Sequence, residues 1–311
     1  MGDNCVWTGE AGDGVWKTNT NWVNDTAPGT GDAAVIPPDA SVDIIGSTAG
    51  NSGNYENVID IFKVEEGADI NIGTRSNSTT DPLKLDFSGE TNAKVILAGI
   101  GTMYLMLKEA KKIIVKKAGT APGTGQYATH ILTESSTNDT EVFIDAEANE
   151  SIGIAPFAGE SAEVKSITVN GGDLTIGDSV TQKDGTSAFD LTVNGGTVVN
   201  NSPVDTAQVN GGTLTQQDGA VATLKVYGGT CYYNSNDTIT SCTVGAGGVL
   251  DFSQNTEGTT VTNIELYKGA TLLDPYKVVT FTNGIDLHDC SLDDVTLDVG
   301  KDVKITIGAT T

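Results

Sequence analysis

A short motif keeps returning along this chain with the same polarity. It reads "ITVNGGDLTIG" from 167, "LTVNGGTVVNN" from 191, "AQVNGGTLTQQ" from 207, "LKVYGGTCYYN" from 224, "CTVGAGGVLDF" from 242 and "IELYKGATLLD" from 264, at steps of 16 to 24 residues. A unit this short cannot enclose an apolar face alone, so its repetition points to stacked rungs whose core exists only between neighbours. Weaker relatives, "FKVEEGADINIG" at 62 and "VTLDVGKDVKITIG" at 295, extend the pattern over most of the 311 residues.

Apolar and polar residues alternate on both sides of the glycines, as in Ile167 and Val169, then Leu174 and Ile176. A period of two means strand. Asn-Gly or Gly-Gly between the strands supplies the positive φ of a tight corner. Gly171, Gly195, Gly211, Gly228 and Gly247 are therefore expected at equivalent corners, with a variable third side absorbing the differences in length. In parallel register Val169, Val193, Val209, Val226 and Val244 would form one interior ladder at about 4.8 Å per rung. The fold expected is all-β: a right-handed parallel β-helix, or β-solenoid, over residues 41–311. The alternative is an antiparallel β meander or sandwich, because Asn-Gly between alternating runs is also a hairpin signal. A meander would reverse the motif on alternate strands, and here its direction never changes.

Residues 1–40 differ in character and read as an N-terminal cap or anchor. They hold all 3 tryptophans, Trp7, Trp16 and Trp22, in a turn-rich setting with Asn21, Pro28 and Asp32, followed by apolar Val35 and Ile36. An open solenoid end exposes core and strand edges, and bulky aromatics can cover both. The competing use of the rings is a sugar-stacking platform. With its entry segment and VNGG rungs, the chain resembles the β-helical proteins of phage virions and, less closely, the passenger repeats of autotransporter adhesins. The phage resemblance implies a structural protein on the particle surface, assembled in the host cytoplasm, with homotrimers as the usual oligomer. No heptad pattern is present to enforce a trimer.

Charge narrows the partners. With 41 acidic and 17 basic residues the net charge is −24, which repels nucleic acid and anionic membranes. Against that background Lys94, Lys108, Lys111, Lys112, Lys116 and Lys117 crowd into one segment. Lysines blunt sheet edges, and they also form docking patches for acidic partners. The 4 cysteines, Cys5, Cys231, Cys242 and Cys290, are scattered without a C-x-x-C pair, so free thiols are expected and neither zinc nor a disulfide framework is encoded. The first residues lack the basic and apolar regions of an export signal, and no apolar run is long enough to cross a bilayer.

Signals for catalysis are sparse. Asp289, Asp293, Asp294 and Asp298, with His288 nearby, could supply the paired carboxylates of a glycoside hydrolase, but an acidic chain also places Asp at corners. His130 and His288 lie far apart, with no nucleophile elbow, phosphate loop or zinc-protease motif. No cofactor or metal is expected. Sequons such as those starting at Asn77 and Asn138 occur, as an Asn- and Thr-rich chain yields by chance. The function expected is a non-enzymatic virion surface protein, a capsid decoration protein, head fibre or tail component whose partners are other virion proteins, with a contribution to host adhesion through a surface glycan. The alternatives are a polysaccharide-binding or -degrading tailspike and a fragment of a secreted adhesin.

Overall fold

The computed structural model describes residues 3–47, 55–56, 58–75, 80–135, 140–182 and 187–308. The Asn77 and Asn138 sequons lie outside the described residues. Among the described residues the named strands pair in parallel everywhere except where Thr74–Arg75 meets Thr80–Asp81. Two large sheets result, of 15 and 13 strands. The chain visits them alternately: Ser166–Gly171 lies in the larger sheet and Asp173–Ile176 in the smaller, Phe189–Val193 returns to the larger, and Thr197–Asn200 to the smaller. This is the parallel β-solenoid that the same-direction motif requires, and it excludes the meander.

The valine ladder forms as expected. Val169, Val193, Val209, Val226 and Val244 are successive register partners, all with no exposed surface. A second interior column runs beside it through Phe62, Val95, Ile113, Val142, Ile167 and Leu191. Each fully buried side chain of this kind contributes about 1.5–3 kcal/mol, so the columns carry the fold. In the smaller sheet the interior turns polar at Asn200 and Gln216. There the Asn200 amide donates to Gln216 Oε1 at 2.9 Å and to the Ser202 carbonyl at 2.7 Å, so buried amides tie down the variable third side.

The corner differs from expectation in its division of labour. Gly171, Gly195, Gly211 and Gly228 do occupy equivalent places, but the positive φ belongs to the next residue, Gly172, Gly196, Gly212 and Gly229. Gly247, at φ +78°, falls with this second set because its corner is one residue longer, from Val244 to Val249 rather than from Val226 to Thr230. The asparagines are not needed for φ. Their side chains form a ladder up the outside of the corner: Asn210 donates to Asn194 Oδ1 at 2.8 Å, and Asn194 to Asn170 Oδ1 at 2.9 Å. The last relative of the motif is out of phase with the others. Thr296–Asp298 belongs to the smaller sheet and Ile305–Ile307 to the larger, so its glycine marks the third side.

The larger sheet already begins at Asn4–Val6, which pairs with Ala33–Ile36, and the intervening residues fold over the end. Trp7, Trp16 and Trp22 are each 1% exposed. Trp22 meets Trp7 and Trp16 edge-on, with ring centroids 5.1 and 4.8 Å apart, and Trp16 lies 5.9 Å from Phe62 of the interior column. With the rings covered by one another and by the core, no face is left for a stacked sugar.

Candidate functional site

The lysine segment divides between the two sheets. Lys94 and Lys112 are register partners on the outer surface of the larger sheet, at the starts of Lys94–Leu97 and Lys112–Val115. Lys108 lies in the smaller sheet, where Asp86 binds it at 2.9 Å and Glu134 is its register partner. Lys117 faces Glu66 at 3.8 Å. Lys116 borders a hollow of about 330 Å³ together with Lys63, Ile96 and Pro38, and Lys111 borders another beside Glu90 and Glu109. Among the described residues, Lys94, Lys111, Lys112 and Lys116 form no ion pair within 4 Å. Four of the six lysines are thus available to an outside partner, and Lys63 lies close to them, bound to Glu65 at 2.6 Å.

Between these lysines runs an outward apolar column. Ile96, Ile114 and Phe143 are register partners on three successive strands, half-buried and facing away from the core. Lys112 holds its ammonium 4.4 Å from the centre of the Phe143 ring, an attractive cation–aromatic contact. Farther along, the same column becomes Thr168, Thr192, Gln208, Lys225 and Thr243, and in the other direction it passes through Lys63 to the half-buried Val35 and Val6. The sequence signal was legible: in "KVIL" and "KIIV" the outward position that should be polar is isoleucine.

The second feature was missed from sequence. Thr129–Glu134 is buried at five consecutive positions, which a strand with one wet face cannot be. Its outer face is roofed by the segments before and after it. His130 stands on that face as register partner of Tyr104 on one side and Gly153 on the other. The Tyr104 and His130 rings lie 4.4 Å apart at 33°, with Phe157 5.4 Å from His130. A Cβ at Gly153 would lie 2.6 Å from Pro156 and 2.9 Å from the Tyr127 ring, so the missing side chain is what lets the roof settle. His130 Nε2 is 2.8 Å from Glu160 Oε2, and that carboxylate also accepts the Phe157 backbone N–H at 3.2 Å. Beside the roof opens a recess of about 180 Å³, bordered by Tyr104, Tyr127, His130, Gln126 and Thr102. The unbroken "THIL" run was the available clue, since it implies cover on both faces.

Two of the four aspartates near the C-terminal end, Asp294 and Asp298, are engaged locally. Asp294 caps a turn, accepting from the Ser291 backbone N–H and hydroxyl at 2.9 and 2.8 Å, and pairs with Lys268 at 3.0 Å. Those bonds, the Ser291 N–H foremost, hold its carboxyl at about 2. Asp298 is bound by Lys277, and His288 stacks on Tyr267 at 5.1 Å. Among the described residues no three metal-ligating side chains gather, and no helix is long and apolar enough to cross a membrane.

The thiols are free, as expected, with Cys5, Cys231 and Cys242 buried and Cys290 half-buried. Burial pushes the Cys231 thiol up to about 12 and the Cys242 thiol well above its usual range. Because only thiolates alkylate readily, iodoacetamide at about pH 8 should label Cys290 first and leave Cys231 and Cys242 unlabelled until urea is added. Mass mapping of either interior thiol as labelled without denaturant would show that the solenoid opens. No protein-family model matches this chain, and no curated protein or solved structure matches it either.

Proposed function

We propose that the protein is a non-enzymatic surface component of a phage virion, a rod that stands off the particle and docks through the lysine-edged apolar column of its larger sheet. The observation that carries the reading is the coincidence of unpaired lysines with outward Ile96, Ile114 and Phe143 on a chain of net charge −24. Fourteen successive strands at about 4.8 Å give a rod on the order of 60 Å long. Elsewhere the acidic surface makes copies repel, while this one face attracts an acidic, partly apolar patch on another virion protein.

Exposed charges are screened within about 8 Å at physiological salt, so the lysines act on encounter and orientation while the apolar column sets the lifetime of the complex. Changing Lys94, Lys112 and Lys116 together to Gln is expected to slow particle incorporation on the order of tenfold at low ionic strength, with little effect at high salt and an unchanged melt. Electron microscopy and mass analysis of particles assembled with wild-type or variant chain read this out. A variant that incorporates equally fast at low salt would remove the docking face. A chain found on no particle would remove the virion reading itself, and a stable trimer in isolation would assign the apolar column to self-association.

A further inference from the structure

We propose that the recess beside His130 is a binding site for a single neutral sugar residue, independent of the lysine face and of whether the rod belongs to a virion. At about 180 Å³ it is well below the roughly 300–1,000 Å³ typical of pockets for drug-sized ligands, and it suits one small ring. Its border is divided by chemistry. Tyr127, half-buried, offers aromatic surface, on which the C–H face of a pyranose loses little by leaving water, while Tyr104, packed against His130, closes the wall. Gln126 offers an amide, which can both donate to and accept from sugar hydroxyls, and Thr102, whose hydroxyl donates to Asn71 Oδ1, offers an oxygen that can accept.

Two further observations favour a built site over an accidental gap. His130 is 2% exposed and held by Glu160, and Glu160 is fixed in turn by the Phe157 N–H, so the deep wall is set before any ligand arrives. The recess also depends on glycines at two places. A Cβ at Gly73 would lie 2.4 Å from the Tyr104 carbonyl, and one at Gly153 would strike the Tyr127 ring. The charge of the sugar follows from the border, which among the described residues has no lysine or arginine to meet a carboxylate, while Glu160 stands behind His130. Uronic and sialic acids should therefore be refused.

The test is saturation-transfer NMR on the full chain with glucose, galactose, mannose, rhamnose and N-acetylglucosamine, with glucuronic acid and indole as controls. Transfer to the ring protons of at least one neutral sugar, and none to glucuronic acid, is expected. Gln126→Ala and Thr102→Val, both at the rim, should each reduce that signal at least fivefold, Gln126→Ala with unchanged melting and Thr102→Val with only the small loss of its bond to Asn71, and Tyr127→Leu should abolish it. If Tyr127→Leu fails to fold, the two rim variants still decide. Transfer to none of the neutral sugars, transfer to indole in their place, equal transfer to glucuronic acid, or a signal that survives both rim variants would each overturn the assignment.

Discussion

Replacing Trp22 by alanine should destabilise the full chain by about 3–5 kcal/mol, the range for deleting a large, fully packed aromatic. Trp22 is the centre of the cap: its ring lies edge-on to Trp7 on one side and Trp16 on the other, and its indole N–H donates to the Trp16 carbonyl at 2.7 Å. The segment cannot collapse to fill the hole, because Asn21 next to it is fully buried and fixed. Asn21 donates to Asp13 at 2.6 Å and to the Val15 carbonyl at 3.0 Å, and accepts from the Ala11 N–H at 3.0 Å. Since each coil touches only its neighbours, the damage should begin at one end, and the tryptophan fluorescence transition should precede the loss of β-sheet circular dichroism. Trp22→Phe, which keeps an aromatic ring but loses the donor, should cost less than half as much. A shift below about 1 kcal/mol for Trp22→Ala would show that the indoles are ornamental and the rods end bare.

Legibility in the sequence followed how local the determining physics is. The valine ladder, the alternation around it and the common corner are set within ten residues, so their period and polarity favoured the solenoid over the meander, which the parallel pairing then excluded. What pairs across coils was harder to see. Lys94 and Lys112 are 18 positions apart in sequence and meet as register partners, whereas Lys108, closer in sequence to Lys112, belongs to the other sheet because the chain turns a corner at Glu109, a non-glycine at φ +59°. The His130 recess is harder still, because its members come from three coils and two roofing segments, and His130 with Glu160 is 30 residues apart. Unbroken burial in "THIL" announces that something covers the strand without saying what. Because Asn and Gly share a tolerance for positive φ, the motif's asparagine looks conformational in the sequence, and only the stacked coils reveal its amide ladder.

The strongest test of the corner itself is Gly212→Ala against Gly125→Ala. Both glycines have left-handed φ, +68° and +70°, so both substitutions carry the ordinary penalty of about 1–2 kcal/mol for an L-residue there. They differ in space. A Cβ at Gly125 meets nothing within 4 Å, whereas at Gly212 it would lie 2.4 Å from the Gly196 carbonyl oxygen and 2.7 Å from the Gly195 carbonyl carbon. Those atoms are backbone of the coil beneath, held by the Thr213 N–H to Gly196 bond at 2.9 Å, and relief requires prising two coils apart. Gly212→Ala should therefore exceed Gly125→Ala by about 2 kcal/mol or more, with strain and a broken ladder bond both contributing. Asparagine separates the two causes, because it tolerates the left-handed region: Gly125→Asn should be near neutral, while Gly212→Asn should remain as damaging as alanine. Because the lesion falls mid-rod, urea melts of the Gly212 variants should broaden or split as the coils on either side unfold separately. Equal costs at Gly212 and Gly125 would mean that the paired glycines serve φ alone and that the close stacking of corners does not hold the coils in register.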